Sequence, residues 1–161
     1  MMPMNSDLDL DTIAAEALRE VFATCFELQP IPVSPDEMPQ VPGDALWLIG
    51  SVNLEGSQAR GSVHLQVSEG LIEQLNTSLG DCSDDAAARE SELADLAGEL
   101  CNMVAGRIGA GLAAAGHLFT LSMPDVYRER ALETGTDTDK WGSCTGWTCA
   151  GGTLTLKISI Q

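Results

Sequence analysis

Residues 90–116 read ESELADLAGELCNMVAGRIGAGLAAAG, a stretch with no proline and much Ala, Leu and Glu. That composition predicts a long helix. At 100° per residue, Asp95, Glu99 and Asn102 fall within an arc of roughly 60°, with Gly106 on the same line. Leu93, Leu96, Leu100, Met103, Val104 and Ile108 occupy the other side, which is expected to bury against a sheet. The polar line has two readings. It is the solvated stripe that almost every amphipathic helix carries, or it is a docking face. Residue choice supports the second. Asn is a middling helix former, and Gly98 and Gly106 each cost about 1 kcal/mol relative to Ala. Small residues beside a polar trio let another backbone come close.

Around this helix the chain suits one domain spanning 1–161, long enough to bury a sizeable core. The formal net charge is −16, with 24 Asp and Glu against 8 Lys and Arg. Such a balance argues against nucleic acid or an anionic membrane as partner, and favours one that offers lysine. No apolar run reaches the length of a membrane span. The acidic N-terminus MMPMNSDLDLD lacks the basic and apolar regions of a signal peptide. A cytoplasmic location is expected.

Upstream, residues 1–8 read as disordered, and Asp11 is expected to cap a helix running to about Leu28. Its buried stripe is Ala14, Leu18, Val21, Phe22 and Cys25, and it contains no Asn. Five prolines within 29–43 exclude a helix or a central strand, leaving an extended connector. DALWLIGSVNL (44–54) and RGSVHLQV (60–67) flank Gly56-Ser57-Gln58 as a hairpin. In the second strand Val63, Leu65 and Val67 alternate with Ser62, His64 and Gln66. Residues 69–79 form a short helix ended by Gly80. Downstream, LFTLSMPDVYRER is a strand interrupted by Pro124, which belongs at an edge or a bulge. Residues 131–140 are a polar loop. Residues 140–160 close the chain as a hairpin whose last strand alternates Leu154, Leu156, Ile158 and Ile160 with polar residues. This order gives an α+β fold, an antiparallel-rich β-sheet with long helices packed on one face.

The chemistry on offer is narrow. The chain has no phosphate-binding glycine loop, no Ser-His or Cys-His nucleophile pair and no metal-ligand spacing. His64 and His117 have ready structural roles in a strand and past a helix end. Cys144 and Cys149, at C-x4-C, meet across a turn in one reading, which would make a redox or metal-sensing domain. The polar face offers an amide and a carboxylate one turn apart. An amide is no base at neutral pH, but it can donate and accept hydrogen bonds and so hold a water. Positioning an in-line water is a known role for a side-chain amide in phosphoryl transfer.

Asp95-x3-Glu99-x2-Asn102, with 21 residues between Asn102 and Pro124, resembles the signature of the CheC/CheX/FliY chemotaxis phosphatases. LADLAGELCNMVAGRIGAGL, FTLSMPDV, the SVNLEG and GSVHLQVS strands and the terminal LTLKISI are similar to the CheX branch. The likeness runs from about Asp11 to Ile160. It implies hydrolysis of the aspartyl-phosphate on a CheY-type response-regulator receiver domain. Asn102 would orient the attacking water, and Glu99 would pair with the receiver's active-site lysine. Asp95, Gly106 and Pro124 would support them. Mg²⁺ would belong to the receiver, with no cofactor of the protein's own. Homodimer formation is implied too, and the terminal hairpin is one place for it. Glu73-Gln74-Leu75-Asn76 repeats the short E-x2-N pattern, but with Glu69 and Gly98 where the acid-or-serine and proline should fall. It reads as coincidence, so one face per chain is expected, as in the CheX branch. A non-catalytic module that binds a receiver through the same face is the alternative. Arg107 falls toward the apolar side of an ideal helix, so it must snorkel, meet a carboxylate or mark a distortion near Gly106.

Overall fold

The computed structural model describes residues 8–34, 37, 45–80, 83–130 and 141–161. Three helices and seven strands follow in the order α1 (Leu10–Phe26), β1 (Ile31–Val33), β2 (Leu46–Glu55), β3 (Arg60–Ser68), α2 (Glu69–Ser78), α3 (Ala86–Ala114), β4 (Thr120–Leu121), β5 (Asp125–Arg130), β6 (Ser143–Cys149) and β7 (Gly152–Ile160). All strand pairs are antiparallel, in the order β1-β6-β7-β3-β2-β4, with β5 also on β2. The expected α+β architecture is therefore the one observed.

Strand parity explains the layering. Leu48, Val52 and Leu54 of β2, Val63, Leu65 and Val67 of β3, and Leu154, Leu156 and Ile158 of β7 share one face and are fully buried with the apolar sides of the helices. The opposite face is not simply wet. Trp47 and Ile49 are buried there, outside the main core. His64 stands on the same face, its Nε2 3.2 Å from Ser51 Oγ and its ring edge-on to Trp141.

Several boundaries differ from expectation. Asp9, not Asp11, caps α1, accepting from the Thr12 N–H at 3.1 Å. Asp11 instead accepts from Ser143 Oγ, tying α1 to β6. The proline-rich stretch supplies a short strand, β1, at the sheet edge, where Pro32 costs no ladder bond on its open side. Residues 35–36 and 38–44 of that connector, residues 1–7 and the polar loop 131–140 lie outside the described residues. The terminal hairpin is not an exposed edge. β7 sits between β3 and β6, and β6 between β7 and β1, which pairs with its residues Gly146 to Thr148. Among the described residues the open edges are β1 and the β4–β5 side. Cys144 and Cys149 do not meet across a turn either. They share strand β6 five positions apart, and an odd spacing points them to opposite faces as free thiols.

On the β4–β5 side, the ladder to β2 breaks and restarts. Leu121 pairs with Leu54 and Asp125 with Ser51. Three residues separate the first pair's member from the second's on this strand, against two on β2, so residues 122–124 form a bulge. Pro124 lacks the N–H a ladder would need there. Ser122 replaces the lost bonds: its N–H donates to Asn53 O at 3.0 Å and its Oγ accepts from Asn53 N at 2.8 Å.

Candidate functional site: the outer face of α3

The helix runs unbroken from Ala86 to Ala114, four residues earlier than residue composition from 90 suggested, because Asp85 caps it by accepting from Ala88 N. Leu93, Leu96, Leu100, Cys101, Val104 and Ile108 are buried on its inner side. Rigid backing follows from this burial. Asp95, Glu99, Asn102 and Gly106 are all exposed on the outer side. Glu99 and Asn102 stand one turn apart, about 4.5 Å along the axis. Among the described residues none of Asp95, Glu99 and Asn102 engages another side chain of the chain by hydrogen bond or ion pair.

The second E-x2-N match has the opposite character. Asn76 is 5% exposed, and its Nδ2 donates to Glu92 Oε2 at 3.4 Å, joining α2 to α3. It is a structural residue. Arg107 lies exposed and meets Glu20 of α1 at 3.1 Å, so a surface carboxylate accounts for it without any break in α3.

The two glycines singled out in the helix part company. A Cβ on Gly98 would come within 3.0 Å of Val126 Cγ2 and 3.8 Å of Pro124 Cγ, so Gly98 is a notch for the chain's own β5. Nothing lies within 4 Å of a Cβ on Gly106. Only Gly106 therefore keeps an open approach, and Pro124 is placed by its seat beside Gly98. That pairing of glycine and proline was not read from the sequence. Its signal was present in the costly interior glycine, but its partner was unknowable without the register of β5.

Among the described residues no group of three or more His, Cys, Asp or Glu side chains stands ready to hold a metal ion. Burial pushes the thiols of Cys101, Cys144 and Cys149 up from their ordinary value, away from the thiolate that nucleophilic or metal-binding chemistry needs. No helix of the described residues is long and apolar enough to cross a membrane.

Residues 48–143, more than half of the chain and including the whole polar face and Pro124, match the family model described as chemotaxis phosphatase CheX. The chain belongs to the CheX family. Solved structures carry the same fold. A CheX from Vibrio vulnificus is 22% identical with a TM-score of 0.76, covering 98% of this chain and 100% of its own. A CheC-like superfamily protein from Shewanella sp. PV-4 is 24% identical with a TM-score of 0.71, covering 98% and 99%. The CheX of a CheX–CheY–BeF3–Mg²⁺ complex from Borrelia burgdorferi is 17% identical with a TM-score of 0.69, covering 95% and 98%. No curated protein matches the sequence.

Proposed function

We propose that this CheX family member hydrolyses the aspartyl-phosphate of a CheY-like receiver domain through the outer face of α3. One observation carries the reading: Glu99 and Asn102 stand exposed, unpartnered among the described residues and one turn apart on a helix whose opposite side is buried against the sheet. Family membership supplies the reaction class, and a relative solved with CheY, BeF3 and Mg²⁺ supplies the kind of partner.

In this reading Asn102 enters the receiver's pocket and its carboxamide holds a water in line with the phosphorus–oxygen bond to the aspartate. The oxygen of that water bonds to phosphorus as the bond to the aspartyl oxygen breaks. The products are the free carboxylate and inorganic phosphate. The amide needs no pKa shift, since its task is to accept a hydrogen bond from the water and donate one to a neighbouring oxygen. Glu99 pairs with the receiver's lysine, and Asp95 adds negative charge a turn earlier. Mg²⁺ belongs to the receiver, in keeping with the CheX–CheY–BeF3–Mg²⁺ complex of the relative. A negative face suits a partner that presents a cation.

The test is phosphate release from CheY-type receivers phosphorylated with acetyl phosphate, with and without the protein. Wild type shortens the phosphate lifetime. Asn102→Ala stays folded, still binds the BeF3-loaded receiver and loses about 100-fold or more of the acceleration, the size of effect seen when one positioned amide is removed from an active site. Binding by wild type with no change in phosphate lifetime would establish the non-catalytic module instead.

A further inference from the structure

The polar face has no apolar anchor of its own: its residues are two acids, an amide and a bare glycine. Protein interfaces draw most of their affinity from a few buried apolar or aromatic side chains near the centre. Beside this face stands Met123, 84% exposed and the most exposed large apolar residue among those described.

Its exposure is built in. Met123 is the middle residue of the 122–124 bulge, and bulges re-aim a side chain out of the ladder. Both flanks are fixed. Ser122 is bonded to both the N–H and the C=O of Asn53, and its Oγ also donates to Met123 O at 3.0 Å. Pro124 follows, seated beside Gly98. The track of this segment along α3 can be read from the glycines. Leu121 Cδ1 lies 3.3 Å from a Cβ on Gly109, and Val126 Cγ2 lies 3.0 Å from one on Gly98. Gly98 and Gly109 fall on nearly one line of the helix, within about 40° of Asn102. The segment therefore runs antiparallel to α3 along the Asn102 edge, and Met123, between Leu121 at Gly109 and Pro124 at Gly98, falls within the stretch of helix that brackets Asn102.

We infer that Met123 is the apolar anchor that seats the receiver beside Asn102, and so determines which receivers this face accepts. The inference rests on the phosphatase reading above. The occupant is an apolar patch on the rim of the receiver's phosphorylation pocket. A methionine fits that role because its unbranched thioether adapts to irregular apolar surfaces. Leu118 provides the contrast. It is 78% exposed, yet it follows the end of α3, whose last residue, Ala114, already lies about 18 Å along the axis from Asn102.

Kinetics with an acetyl-phosphate-charged receiver, and affinity for the same receiver loaded with BeF3 and Mg²⁺, test this on the full chain. Met123→Ala raises KM and Kd about tenfold, as loss of one buried apolar side chain should. Its kcat stays within about twofold, since Asn102 is untouched. Met123→Leu restores most of the affinity, Met123→Glu weakens it further, and Leu118→Ala behaves as wild type. Unchanged KM and Kd in both Met123→Ala and Met123→Glu overturn the inference, as does an equal effect from Leu118→Ala. Asn102→Ala separates the two readings. If it abolishes turnover while Met123→Ala is silent, the anchor falls and the phosphatase stands. If it leaves turnover intact while Met123→Ala raises KM, the role of Asn102 falls and the anchor stands. A chain that binds none of the receivers overturns both.

Discussion

Gly106 sits mid-helix with no contact on its Cα side among the described residues, a position where glycine serves the fold badly. It lies in regular helix rather than among the glycines with positive φ, which among the described residues are Gly80, Gly116 and Gly151. A Cβ added there meets nothing within 4 Å. Gly106→Ala should therefore stabilise the protein by close to the full propensity difference, about 0.8–1 kcal/mol. For a chain of this length that raises Tm by about 2–4 °C. Gly98→Ala makes the comparison. The same propensity gain is opposed there by a Cβ 3.0 Å from Val126 Cγ2, and Gly98→Leu should cost about 1–3 kcal/mol by overpacking. Chemical denaturation followed by circular dichroism reads both series. If α3 docks through its outer face, the stabilised Gly106 variants are also the poorer phosphatases. Gly106→Leu projects a branched side chain on the line of Glu99 and Asn102, and KM for the phosphorylated receiver should rise about tenfold or more through steric exclusion. A Gly106→Leu protein that is folded, more stable and kinetically identical to wild type would refute the reasoning, because the glycine would then be neither structural nor in contact. Destabilisation by Gly106→Ala would equally contradict the open surroundings described for it.

Other outcomes follow from neighbouring features. Glu99→Gln should weaken receiver binding and flatten its dependence on salt concentration, measured by titration at two ionic strengths, because one screened charge pair is removed. Asn76→Ala should cost about 1 kcal/mol in denaturation experiments by removing the α2–α3 hydrogen bond to Glu92, which keeps the Ser83 N–H as its other donor, while turnover per folded molecule stays at the wild-type level. Burial pushes the Cys101 thiol up from its ordinary 9.0 to about 12. The unfolded thiol loses its proton first, so stability should fall above pH 9 by about 1.4 kcal/mol per pH unit. Below pH 9 this thiol leaves stability unchanged, and Cys101→Ala should show a shallower alkaline decline in stability measured across pH 8–11.

Much of this protein was legible in its residues alone, and the reason is local. Helix periodicity needs only the 3.6-residue repeat, so the buried side of α3 and the exposure of Asp95, Glu99 and Asn102 could be read directly, as could the alternation of β3 and β7. Where the chain turns was legible too, since glycine at 80 and 116 and the run of prolines leave few backbone options. The cap of α1 was misread by two residues because Asp9 and Asp11 are equally good caps in isolation. What chose between them was β6, whose Ser143 engages Asp11.

Properties that depend on which strands lie side by side stayed out of reach. Nothing in KWGSCTGWTCAGGTLTLKISI states that its hairpin is clamped between β1 and β3, so an exposed edge was expected where the sheet is continuous. The flanking residues already set the E-x2-N pair at Glu73 and Asn76 apart from the pair at Glu99 and Asn102, but only the packing of α2 against α3 showed what Asn76 does instead, which is to bond Glu92. The sequence by itself determined the fold class, the face of the long helix and the family likeness, because these follow from periodicity and residue type. Only the tertiary structure decided that Gly98 is a notch for β5, that Gly106 is open and that Met123 is thrust outward by a bulge. Those facts arise from contacts between segments far apart in the chain, whose register no local pattern encodes.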